Sequence, residues 1–202
     1  MNSRFNPNSK DNKKSFELIP KGPHMARCSR IIEIGIQNSP QYGPSDKVVI
    51  AFNLPNVTMT MGDGTTKQRM ISNPFGITLS SDEKSNMFKY TKALDPNGEA
   101  TNLGDFLNKP CQIVIGHHAS GKDGTVRDRL DSVSPILPGL PVPDLDIEPF
   151  WFEWDRPSQE VWKKIPKFTQ DLIRQATNLP GSKVEAMIAA DDAGEQYDEL
   201  PF

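Results

Sequence analysis

The chain has 202 residues, with 26 acids against 23 Lys and Arg, 36% hydrophobic residues, 18 prolines and 14 glycines. That length buries one sizeable core with residues to spare, and the proline and glycine content implies segments with no core of their own. No apolar run reaches the ~18 residues of a membrane span, no apolar N-terminal segment reads as a signal peptide, and Cys28, Cys111 and three histidines are too few for a disulfide framework or a zinc site, so a soluble protein of a reducing cytoplasm is expected.

The net charge of -3 hides an asymmetry. From Val184 to Phe202 there are six acids (Glu185, Asp191, Asp192, Glu195, Asp198, Glu199) and no Lys or Arg. Taking those six from 26 leaves 20 acids against all 23 bases in residues 1–183, a net of +3. A mildly basic body with a strongly acidic tail is a pattern that bears on partners rather than on fold.

Residues 1–15, with Arg4, Lys10, Lys13 and Lys14 and little to bury, read as a disordered basic arm. Residues 16–136 read mainly as strands. Ala26, Cys28, Ile32, Ile34 and Ile36 alternate with polar or small residues, and Arg30 falls on the apolar phase, which predicts a bulge there. Val48, Ile50, Phe52 and Leu54 repeat the alternation; Val57–Met61 and Thr65–Ile71 flank Gly62-Asp63-Gly64 as a hairpin. Ser80 as a cap with Glu83 three residues on predicts a helix running to Leu94, and Leu103, Phe106 and Leu107 a shorter one. Cys111, Ile113 and Ile115, a turn at Ser120–Gly124, and Thr125–Val133 complete two more strands.

Three strands, a helical segment and two strands is the order of an OB-fold, a five-stranded, partly open Greek-key barrel with its helix between the third and fourth strands. Residues 137–149 follow as a proline-rich linker. Residues 150–177 form an aromatic helical appendage: Phe150, Trp151, Phe152 and Trp154 are expected to pack it onto the barrel or onto a second subunit, making a homo-oligomer one expected form. Two short amphipathic helices around Val161–Ile165 and Phe168–Ile173 come next. Residues 178–202 read as a disordered acidic tail with a helical turn near Val184–Ala190.

Catalytic motifs are not apparent. Gly116-His-His-Ala-Ser-Gly121-Lys122 matches most of a phosphate-binding loop, but Asp123 stands where a Ser or Thr must hold magnesium, and a strand pattern follows where a helix is needed. His117 and His118, adjacent on a strand, point to opposite faces and cannot share one metal. No catalytic residue, metal or cofactor is expected. The candidates for contact with single-stranded DNA are cations, which meet phosphates, and aromatics, on which bases stack: Arg27, Tyr42, Phe52, Lys67, Arg69, Phe75, Lys89, Tyr90, Lys122, Arg127 and Arg129, with Lys84 and Lys92 nearby.

At the C-terminus, Asp198, Glu199, Leu200, Pro201 and Phe202 join dispersed negative charge to an apolar hook beside a free carboxylate, a form suited to capture in a partner's basic-rimmed pocket. This ending resembles the tip of bacterial single-stranded DNA-binding proteins, an acidic stretch before Ile-Pro-Phe, with Leu200 in place of the Ile. The segments Phe16-Glu-Leu-Ile-Pro20-Lys-Gly22, Ala26-Arg27-Cys28, Leu79-Ser80, Glu83-Lys84-Ser85-Asn86 and Lys109-Pro110-Cys111 resemble a phage replication-module family of OB-fold single-stranded DNA-binding proteins, over roughly residues 16–175. The resemblance implies an OB-fold, single-stranded DNA as ligand, replication or repair proteins recruited through Pro201 and Phe202, and the cytoplasm of an infected bacterial host. The bacterial counterparts lack the segment at 150–175 and offer no guide to assembly here. A non-catalytic adaptor that has lost DNA binding, and an NTPase or nucleic-acid enzyme, are the competing readings.

Overall fold

The computed structural model describes residues 17–121 and 124–198. The N-terminal arm, Lys122 and the terminal residues Glu199, Leu200, Pro201 and Phe202 lie outside the described residues. The chain is mainly β. Five longer strands, β1 (Gly22–Ser39), β2 (Gly43–Thr60), β3 (Thr66–Ser72), β5 (Pro110–Ala119) and β6 (Val126–Pro135), pair antiparallel in the order β3-β2-β1-β5-β6. Two short strands lie off this path: β4 (Ile77–Thr78) pairs with β2, and β7 (Phe150–Phe152) runs parallel to β1. Helix α1 (Asn86–Leu94) and a 3-10 turn (Leu103–Phe106) separate β4 from β5.

The sheet is open. β3 and β6, its two ends, share no backbone ladder among the described residues, so the expected barrel is not closed by main-chain bonds. Side chains bridge them instead: Arg69 Nη2 reaches Asp128 Oδ2 at 3.0 Å, and both side chains are largely buried. Asp128 Oδ1 also accepts the Ile19 N–H at 2.9 Å, Arg69 Nη1 donates to Glu17 O at 2.7 Å, and His117 Nε2 stands 2.8 Å from Ile19 O. The segment before β1 is thereby drawn into the gap, with Ile19 in the core.

The register of β1 explains how its apolar residues serve two cores. A shift between Cys28 and Arg30 fulfils the bulge expectation, and because side chains alternate with period two, the extra residue exchanges faces along the strand. Ala26, Cys28 and Ile31 point to an inner core with Ile50, Phe52, Leu54, Ile113 and Ile115; Ile32 and Ile34 join Val49 on the outer face. The bulge also marks a change of neighbour, since β5 leaves β1 at Arg27 and β7 takes the vacated edge at Arg30.

A helical module closes over the outer apolar face: α2 (Gln159–Lys164), α3 (Lys167–Arg174) and α4 (Lys183–Asp198). Phe152 and Trp162 are fully buried against Ile32, Ile34 and Val49, with Ile173, Val184 and Ile188. The Glu33 carboxylate fastens the module to β1 by accepting Trp151 Nε1 at 2.9 Å and Trp154 N at 2.8 Å; burial nonetheless raises its pKa. Gly35, at φ +69°, is required where the Trp154 ring crosses the strand, because a Cβ there would lie 2.5 Å from that ring.

Two expectations are corrected. Helix α1 starts five residues late: Ser85, not Ser80, is the N-cap and accepts Phe88 N, while Ser80 and Asp82 take the backbone N–H groups of Asp82 and Lys84 into local turns that compete with helix. In the acidic tail the helical turn expected near Val184–Ala190 is a longer helix that ends at Asp198, and Asp191 and Asp192 pair with Lys163 (3.6 Å) and Arg174 (2.8 Å). The aromatic segment packs onto the sheet of its own chain, the first of the two arrangements expected for it. Among the described residues no helix is long and apolar enough to cross a membrane.

Candidate nucleic-acid interface

Strand phase decides which candidate aromatics can meet a ligand. Phe52 has the inner phase of β2 and Tyr90 the buried side of α1; their rings meet edge to face at 5.7 Å inside the core. Neither can stack on a base. Burial, with a contribution from Cys111, pushes the Tyr90 hydroxyl up to about 12. Tyr42, in the β1–β2 turn, is by contrast 80% exposed, and Phe75 is 61% exposed although its ring meets Phe168 of α3 at 5.6 Å.

Several candidate cations are engaged within the fold. Arg27 donates to Asn108 O (2.7 Å), Val142 O (2.8 Å) and Pro143 O (2.9 Å) and pairs with Asp144 at 3.4 Å, strapping the proline-rich segment across the strand. Arg69 is occupied by Glu17 and Asp128, as described above. Arg129 is exposed but bound to Asp131, and Arg127 lies exposed on the same face of β6. Lys67 and Lys89 point to solvent, as do Lys84 and Lys92, the latter 5.8 Å from the Phe88 ring. Lys122 is outside the described residues, and of the tip only Asp198, the last residue of α4, is described.

Two hollows gather part of what remains, Tyr42, Lys67 and Lys84, while Phe75, Lys89, Arg127 and Arg129 line neither. A wide one of about 980 Å³ brings Tyr42 together with Lys47, Lys84, Asn73 and Asn86, at the β1–β2 turn and the start of α1. A smaller one of about 380 Å³ lies on the outer face of β1, β2 and β3, where Lys67 joins Arg30, Asn53, Gln68 and the side chains of Met59, Met61 and Met70. The Arg30 guanidinium lies 5.3 Å from the Phe150 ring and makes no hydrogen bond or ion pair among the described residues; burial lowers its pKa.

Arg30, Lys47 and Asn53 were not among the sequence candidates. The signal for Arg30 was present, a charge on the apolar phase of β1, but it pointed equally to the bulge. Asn53 looks like any polar residue alternating with core positions, and only the structure shows it 2% exposed.

The remaining motifs are structural. Gly121 and Gly124 sit between two paired strands, so the stretch that resembles a phosphate-binding loop joins a hairpin and has no helix after it. His117 contacts Ile19 and Asp128, whereas His118 is exposed on the opposite side. Among the described residues no three His, Cys, Asp or Glu side chains are grouped as metal ligands. No protein-family model matches this sequence, and a search of curated proteins finds no relative, so the interface rests on its own geometry.

Proposed function

We propose that this chain is a sequence-tolerant single-stranded DNA-binding protein of phage replication, recombination and repair, acting without catalysis in the cytoplasm of the infected host. The observation that carries the reading is the position of the two hollows. In an OB-fold, oligonucleotides lie on the face of strands 2 and 3 and against the loops joining strands 1–2 and 4–5. Here one hollow occupies the outer face of β2 and β3, and the other is bounded by Tyr42 in the turn between β1 and β2. The strand path, with its open ends bridged by Arg69 and Asp128, supports a partly open OB barrel. Lys47, Lys67 and Lys84 meet phosphates, while Tyr42 and the methionines receive base faces; tolerance follows because every base has one. The bound strand is kept from reannealing and from nucleases.

The acidic tip, Asp198 to Phe202, recruits replication or repair proteins. Since α4 packs as far as Asp191, a clean test removes only residues 199–202: partner capture is lost and the melting temperature is unchanged. For the DNA reading, affinity for single strands should exceed that for duplex at matched salt, with a log–log salt slope of about -0.7 per phosphate neutralised. Equal affinities contradict it.

One observation favours an adaptor without DNA binding: Arg27, Arg69 and Arg129 are already paired within the chain. Charge reversal at Lys47, Lys67 and Lys84 separates the readings, because an adaptor keeps its function.

A further inference from the structure

Three buried side-chain polar atoms lack a hydrogen-bond partner among the described residues: Arg30 Nε, Asn53 Oδ1 and Gln68 Oε1. They come from three different strands, and all three residues line the 380 Å³ hollow. Folded proteins satisfy nearly all such groups, and those left unmet in a native structure call for a reason. A ligand that meets them is one, and the volume lies within the range of about 300–1,000 Å³ for small-ligand pockets.

The chemistry of the lining narrows the ligand. A guanidinium only donates, whereas each amide both accepts and donates. A phosphate, which offers acceptors alone, would satisfy Arg30 and leave the amide oxygens unmet. The Asp146 carboxylate, which lines the same hollow and accepts Gln68 N at 2.6 Å, also repels an anion. A nucleobase edge presents acceptors and donors side by side. Met59, Met61 and Met70 supply polarisable thioethers for its aromatic ring. Among the bases, guanine sets two acceptors, O6 and N7, beside two donors, N1–H and the exocyclic amine, and Arg to O6 and N7 is the commonest base-specific contact.

We infer that this hollow is a base-reading subsite that takes one unpaired guanine from the bound strand, Arg30 donating to O6 and N7 while Asn53 and Gln68 receive the N–H groups. The inference rests on the single-strand reading above and goes beyond it, placing one read position in an otherwise tolerant groove.

The test compares a thymidine oligomer of about 16 nucleotides, the upper end of OB-fold site sizes, with the same oligomer carrying one central dG, at one fixed salt concentration. Wild-type protein binds the dG oligomer about fivefold or more tightly, the lower end of what one bidentate pair discriminates. Arg30→Lys, which keeps the charge and loses the fork, and Asn53→Leu both bring the ratio to about one. Circular dichroism verifies folding, and Gln68→Ala replaces Asn53→Leu if that variant does not fold. A wild-type ratio near one, or a ratio that survives these substitutions, overturns the inference and leaves single-strand binding standing. If wild-type protein binds neither oligomer better than its duplex, the functional reading itself fails and this inference with it.

Discussion

The outer face of β1 and β2 has two ends that differ in what covers them. At one, Ile32 and Ile34 with Val49 lie under Phe152, Trp162, Ile173 and Val184, all of them out of water. At the other, Arg30 and Asn53 carry polar atoms with no partner beside an open hollow. Both ends belong to the same two strands, and the bulge between Cys28 and Arg30 puts Arg30 and Ile32 on one face. The apolar end has been used to dock a helical module; the polar end keeps buried polar atoms without partners beside an open hollow, a cost in unmet hydrogen bonds that packing alone does not explain.

Breaking the covered end should have the largest effect. Phe152→Ala removes a fully buried ring and should cost about 3–5 kcal/mol in denaturant unfolding. Phe52→Ala, on the inner side of the sheet, should cost a similar amount, and both should unfold in one transition. A separate early transition in Phe152→Ala alone would instead make the helical module an independent unit. Asp128→Ala comes next: it strands the largely buried Arg69 and frees the Ile19 N–H, so a loss of about 3 kcal/mol is expected, the lower end for breaking one partner of a buried pair.

The smallest effect concerns pH at the edge of the cover. The hydrogen bond and charge of Arg174 hold the Asp192 carboxyl below its ordinary value of 3.8. A depressed carboxylate stabilises the fold above its unfolded pKa, and that contribution is lost as the pH falls below 3.8 and through the folded value. Amide exchange in α4 should therefore quicken on acidification through this window, and Asp192→Asn should remove the dependence. The pair is half-exposed, so the change is local.

Local patterns carried much of the fold. Alternation marked β1, β2, the hairpin to β3, and β5, and Arg30 on the apolar phase located the bulge. Helices α2 and α3 were legible from apolar spacing. Contacts distant in sequence were not: Arg27 looks like a free cation until it meets the carbonyls of Val142 and Pro143, and Asp191 and Asp192 look like a solvated tail until Lys163 and Arg174 face them. One local signal went unread, for Ser182 accepts Glu185 N at 3.1 Å and Glu185 accepts Gly181 N at 2.7 Å, which starts α4 where a tail was expected. For the site, exposed Tyr42 followed from its loop position beside Pro40 and Gly43, whereas the exposure of Phe75 did not. Phe52 and Tyr90 were misassigned, because an aromatic on a strand or helix can belong to either face and only packing decides which.

The most direct test of the account is the salt dependence of binding to a thymidine oligomer when the two hollows lose their lysines. Replacing Lys47, Lys67 and Lys84 together by Ala should reduce the magnitude of the log–log slope by about 2, near 0.7 for each phosphate contact removed, with the melting temperature unchanged. A slope equal to that of the wild-type protein would place the strand elsewhere and contradict the assignment of these two hollows.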